Sequence, residues 1–131
     1  MNLSSWKDGR LLKTPTDRLL WGIMAHLGAD WLLQNAYMAD NKATVGHPAG
    51  ILHALIHTLA LTAVFPRRVA LLLGVVHYLI DLRFILKWWR ETFRQTTEGP
   101  AALHVAIWGD QVTHFLTIAV AAWLLRKDAE S

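Results

Sequence analysis

Leu19 to Ala39 reads LLWGIMAHLGADWLLQNAYMA, and the single acidic or basic side chain in it is Asp30. A water-exposed helix of that length carries several charges on its wet face. The stretch therefore reads as a helix in an apolar setting that holds a polar group inward. Ala101 to Leu125 repeats the pattern, with Asp110 as its lone charge. Two further apolar blocks lie between them. Joints marked by Gly46, Pro48 and Gly50, by Pro66-Arg67-Arg68 and by Gly99-Pro100 separate the four. The expected architecture is all-α, a polytopic four-transmembrane-helix bundle in one domain covering 1–131, with spans at about 18–38, 49–65, 69–89 and 101–125. Each is near the roughly 20 residues that a bilayer core requires. Thr16 or Asp17 supplies the first helix start.

Composition sets the frame. The chain has 131 residues, 53% of them hydrophobic, a net charge of +3 and no cysteine, which excludes disulfides and thiolate ligands. The basic residues sit at helix ends rather than in a stripe, so no nucleic-acid partner is expected. Lys7, Arg10, Lys13, Arg18, Arg67, Arg68, Arg126 and Lys127 fall on the side of the termini. Lys42, Lys87, Arg90 and Arg94 fall on the other, which makes the termini cytoplasmic in a bacterial inner membrane. Trp21, Trp123 and Trp88-Trp89 fit aromatic belts at the two boundaries. The N-terminal stretch shows no small-residue cleavage site, so no removable signal is expected. Membrane lipids are the expected surroundings, and an oligomer is compatible with the pattern.

Each apolar block carries one polar pair spaced i, i+4: His26/Asp30, His53/His57, His77/Asp81 and Asp110/His114. That spacing puts both members on one helix face, one turn apart. Counted from the span ends, all four pairs reach one layer of the bundle. An Asp at the centre of a membrane helix costs about 2.5–3.5 kcal/mol, so three are not carried for packing. Five imidazoles and three carboxylates aimed at one point form a metal-ligand set, most naturally for two divalent ions. Zinc fits the mixture; iron and manganese accept it too. Adjacent imidazoles at His53/His57 repel as cations but suit a divalent ion as neutral ligands. Haem gives no role to an Asp one turn from each His. Two divalent ions against three carboxylates leave a positive site, which favours an anionic or lipid-linked small-molecule substrate.

Gln34 extends the first stripe by a turn, Gln111 neighbours Asp110, and Arg83 follows Asp81; these three are the candidates for substrate or supporting contacts. Gly22, Gly28, Gly74 and Gly109 lie close to the pairs and let helices approach. The chemistry expected from this set is hydrolysis of a phosphoester or similar bond in a lipidic substrate, by water activated on the metal. Asp30, Asp81 and Asp110 are the candidates for a general base, with no choice among them. The alternative is a non-enzyme: a divalent-metal or proton and cation conduit, or a structural subunit stabilised by metal. The cytoplasmic halves of the second and fourth spans are nearly all apolar, which reads as a site open to one side rather than a path.

The ordered motifs His26-Leu-Gly-Ala-Asp30-Trp-Leu-Leu-Gln34, Asn41-Lys42, His53-Ala-Leu-Ile-His57, His77-Tyr-Leu-Ile-Asp81 and Asp110-Gln111-Val-Thr-His114 resemble a family of small bacterial membrane proteins, domain of unknown function 3307. That resemblance implies the membrane architecture and no activity. More distantly, His26, Asp30 and Gln34 resemble the metal-binding helices of zinc-dependent phospholipase C and the single-strand-specific zinc nucleases. The Pro-Leu-His that follows Gln in the nuclease motif is replaced here by Asn35-Ala36-Tyr37. The likeness implies phosphodiester hydrolysis by a site of two rather than three ions.

Overall fold

The computed structural model describes residues 14–129, all of it helix and connecting turn. Lys7, Arg10 and Lys13, which weigh in the topology reading, lie outside the described residues. Helix α1 runs from Pro15 to Gly28 and continues into a π-helical turn, Ala29–Leu33. A short α2 (Ala36–Asn41) precedes α3 (Pro48–Leu61) and α4 (Arg67–Asp81). After α5 (Phe84–Thr92) comes α6 (Pro100–Leu124), closed by a 3-10 turn at Leu125–Ala129. The four longer helices form a ring: α1 packs on α3 and α6, and α4 packs on the same two.

The helix ends follow from local chemistry. Thr14, rather than Thr16 or Asp17, caps α1 by accepting from the Asp17 amide at 3.1 Å, with Pro15 in the first turn. His47 caps α3 by accepting from the Ala49 amide, ahead of Pro48. Pro66 precedes α4, and Gly99, at φ 79°, turns the chain into α6.

The expectation of four membrane spans does not hold. Among the described residues one helix, α6 with its 3-10 extension, is long and apolar enough to cross a bilayer, or two if the bent pair α4–α5 counts as one. Three of the four predicted spans break inside their predicted bounds. The 18–38 span loses its α-helix at Gly28 and its helical backbone at Gln34, which is extended (φ −79°, ψ 124°). The 49–65 span ends at Leu61 in a turn. The 69–89 span is split at Arg83, whose φ of 65° is left-handed, and α5 leaves α4 at 54°. Helices of 14 or 15 residues are roughly 21–23 Å long, short of a hydrocarbon core of about 30 Å. Hydropathy summed over a block does not register such breaks, because Leu, Trp and Ile are as apolar in a π turn or a bent helix as in a straight one.

The interior is divided. At the end where α1 begins and α6 finishes, Leu61, Val64, Phe65, Ala70, Leu73, Ile118, Ala121 and Ala122 form an apolar core. At the other end the largest fully buried side chains are His26, His53, His57, His114 and Asp81. The exterior is the reverse: Leu20 and Met24 on α1, Leu59 on α3, Leu72 on α4, and Leu116 and Trp123 on α6 are all more than half exposed. Arg18, expected as a membrane flank, is buried and donates to the Leu125 carbonyl at 2.6 Å, joining the start of α1 to the end of α6.

Three of the four glycines expected at close approaches stand at them. A Cβ at Gly74 would fall on the Thr58 hydroxyl and lie 3.3 Å from the Ala54 carbonyl oxygen, where α3 and α4 meet. One at Gly22 would meet Ile118 at 2.6 Å, and one at Gly109 would meet Leu86 at 2.8 Å. Gly28 faces open space. Gly74→Val should therefore cost about 1–3 kcal/mol in chemical unfolding through overpacking. Gly28→Ala should leave stability unchanged or raise it, since alanine favours helix by up to ~1 kcal/mol.

Candidate functional site

All four i, i+4 pairs meet at one place. Within helices, His26 Nε2 lies 3.3 Å from Asp30 Oδ2, His77 Nε2 lies 3.2 Å from Asp81 Oδ2, and His114 Nε2 lies 3.7 Å from Asp110 Oδ1. The His53 and His57 rings are 4.6 Å apart. The links between helices are at least as short. Asp30 Oδ1 accepts from His57 Nε2 at 3.0 Å and lies 3.1 Å from His53 Nε2, tying the π turn to α3. Asp81 Oδ1 accepts from His114 Nε2 at 3.1 Å, tying α4 to α6. The His77 ring stacks between those of His57 and His114, at 3.6 and 4.1 Å. Every imidazole in the cluster is at most 4% exposed.

This geometry suits an ion. Five Nε2 atoms converge on the oxygens of Asp30 and Asp81 at 3.0–3.4 Å. Two ligands of one tetrahedral ion, each bonded at ~2.0–2.1 Å, lie roughly 3.3 Å apart. His77 Nε2 and Asp81 Oδ2 are buried and 3.2 Å apart without a well-aligned hydrogen bond to any partner, which leaves both placed to ligate a cation. Three overlapping groups offer ligand atoms within 4.8 Å of one another: Asp30/His53/His57/His77, His26/His77/His114 and Asp81/Asp110/His114. Burial works against ionisation of Asp30, but hydrogen bonds from His26, His53 and His57 and the Lys42 charge outweigh it. They hold the carboxyl well below the usual carboxylate range. Burial lowers His57 to about 4 against the pull of Asp30, leaving its ring neutral near pH 7. Burial disfavours charge on His114 as well, but its hydrogen bonds to the Asp110 and Asp81 carboxylates outweigh burial and raise it to about 9, so a metal ion taken up there displaces a proton.

Two residues complete the cluster in ways that spacing does not show. Lys42, expected at an outer flank, is 7% exposed, and its Nζ lies 3.5 Å from Asp81 Oδ2, 4.0 Å from Asp30 Oδ1 and 3.5 Å from His53 Nε2. The turn after α2 folds it inward, and Gly50 lets that turn seat closely: a Cβ there would lie 2.8 Å from the Lys42 carbonyl oxygen. Gln111 donates to Asp30 Oδ2 at 2.8 Å and accepts from His26 Nε2 at 3.1 Å, clamping α1 to α6. Its rotation of about 100° from Asp110 places it on α1, and the sequence does not specify that neighbour.

Gln34 and Arg83 stand outside the ligand cluster. Both line a cleft of about 660 Å³, whose wall also includes Asp30, Lys42, Asp110 and Gln111. Gln34 leaves the helical stripe because the backbone is already extended there. Of His26, Asp30 and Gln34, therefore, only the first two stand in the cluster. Arg83 is exposed at the α4–α5 bend.

No curated protein and no solved structure matches the chain. Its sequence from residue 19 to residue 131 matches one family throughout, and the chain belongs to it: protein of unknown function, DUF3307.

Proposed function

We propose that this protein is a metal-dependent hydrolase working at a lipid surface. In this reading the His/Asp cluster holds divalent ions, zinc first among them, and the cleft presents a phosphoester to it. One observation carries the reading: the imidazoles are enclosed, while Asp30, Asp110, Gln111 and Lys42 open on the cleft. Closed ligand sets belong to structural ions, and an open position belongs to catalysis. A divalent ion at such a position polarises a phosphoryl oxygen and lowers the pKa of water toward neutrality.

The three carboxylates divide by their surroundings. Asp30 and Asp81 are taken up by the imidazoles, Lys42 and Gln111. Asp110 has a side chain 17% exposed and its nearest His nitrogen is 3.7 Å away. It is the carboxylate free to take a proton from water entering by the cleft, and we assign it as general base. Lys42, between Asp30 and Asp81, offers its ammonium to the phosphoryl oxygens. The apolar exterior supports a lipid-facing location, since water disfavours that much exposed Leu and Trp. The apolar core at the far end supports a site over a conduit, because a path for ions would have to cross it.

Elemental analysis of the full chain, purified in mild detergent without chelator, tests the centre. About two metal equivalents are expected, together with zinc-dependent hydrolysis of bis(p-nitrophenyl) phosphate that a chelator stops and added zinc restores. Asp110→Asn should lower turnover by about 10²–10⁴-fold. Absence of metal throughout purification would overturn the proposal. A metal-loaded protein inert to every phosphoester class would mark the centre as structural.

A further inference from the structure

Helix α5 has two unlike sides. Leu86 is buried, while Phe84, Ile85 and Trp88, and Phe93 just beyond the helix, are each more than half exposed. Arg83, Lys87 and Arg90, spaced four and three residues apart, all line the cleft. A short helix with exposed aromatics beside a basic row has the composition of an interfacial helix, lying in the plane of the headgroups. Its 54° bend away from α4 gives it a direction different from that of the bundle helices.

The cleft wall is chemically unbalanced. Lys42, Arg83, Lys87 and Arg90 bring four cations. Of the three acids on the same wall, Asp30 is occupied by imidazoles and Lys42, Asp110 lies 3.7 Å from His114, and Glu91 holds Lys87 loosely at 3.9 Å, which leaves Arg83 and Arg90 without a carboxylate partner there among the described residues. Arg90 donates through Nη2 to the Thr96 carbonyl, and its buried Nε has no partner. Gln34 Oε1, also on the cleft wall, is a buried acceptor with no partner. An unused guanidinium donor among cations calls for an anionic oxygen, and an unused amide acceptor calls for a hydroxyl.

The geometry points to a headgroup site: the cleft takes the phosphate and neighbouring hydroxyl of an anionic glycerophospholipid, presented from the bilayer on which α5 lies. Arg83, Lys87 and Arg90 hold the phosphate, and Gln34 Oε1 accepts from the hydroxyl. Exposed Phe84, Ile85 and Trp88 enter the lipid beside it. This deepens the lipid-surface reading above and does not depend on the metal.

The test is binding by the full chain in neutral detergent with chelator present, read by tryptophan fluorescence. The probes are dioleoyl phosphatidylglycerol, dioleoyl phosphatidylcholine and inorganic phosphate. Saturable binding of phosphatidylglycerol is expected, at least tenfold tighter than phosphatidylcholine and far tighter than phosphate. Each basic residue near an anionic surface contributes about fivefold, so Arg83→Gln/Lys87→Gln should weaken binding roughly 25-fold. Gln34→Leu should narrow the preference over phosphatidylcholine. Should the double variant fail to fold, wild-type binding in 0.5 M salt serves instead and should fall similarly. Equal affinity for the two lipids, or phosphate binding as tightly as the lipid, would overturn the inference. Metal content and zinc-dependent hydrolysis on the same preparations separate the outcomes. Intact metal chemistry without lipid preference defeats this inference alone, and lipid preference without metal defeats only the hydrolase reading.

Discussion

Asp30→Ala is expected to abolish metal loading and to destabilise the fold by about 3–5 kcal/mol, the cost of removing one partner from a buried ionic network. Asp30 is the acceptor around which α1, α3, α6 and the Lys42 turn are joined: His57 and Gln111 donate to it at 3.0 and 2.8 Å, and His53 and Lys42 lie at 3.1 and 4.0 Å. The alanine variant leaves those donors buried without an acceptor. Asp30→Asn separates the two roles. It keeps a carbonyl oxygen for His53 and His57 and should recover much of the stability, yet it offers no anionic ligand and should stay poor in metal. Denaturant titration and elemental analysis of both variants read the result. An alanine variant that melts like wild type and carries its full metal would refute the placement of Asp30 at the centre.

The second large effect belongs to Lys42→Met, a change that keeps the length of the side chain and removes its charge. In chelator the variant should lose about 3–5 kcal/mol, because Asp30 and Asp81 are then buried without their ammonium. Added zinc, which brings positive charge to the same oxygens, should return most of the loss. The wild type should gain less from zinc, since its ammonium already offsets part of the negative charge. Equal stability of Lys42→Met and wild type in chelator would show that the ammonium does not hold the carboxylates together.

The membership of the cluster was largely readable in advance. His26/Asp30, His53/His57, His77/Asp81 and Asp110/His114 each needed only a local helix to share a face, and their positions along four blocks brought them to one layer. Lys42 was not readable as a cluster member, and Gln111 was readable as a supporting contact but not by its partners Asp30 and His26. Lys42 reaches the centre through a turn of irregular backbone, and turns carry no periodicity to extrapolate. Gln111 lies off the Asp110 stripe and gains its role from which helix α6 packs against. The spans failed for a related reason. Apolar composition does not distinguish a straight helix from one that widens at Ala29–Leu33 or bends at Arg83.

The sequence by itself therefore determined the all-helical class, the polar faces and the eight side chains that those faces carry. All of these rest on contacts within about one turn, where residue identity and spacing suffice. Tertiary structure decided where the helices break, that an ammonium stands between two carboxylates, and that the cluster opens on a basic cleft rather than closing on itself. Those features depend on which surfaces meet across the bundle, and that is settled by the packing of residues far apart in the chain.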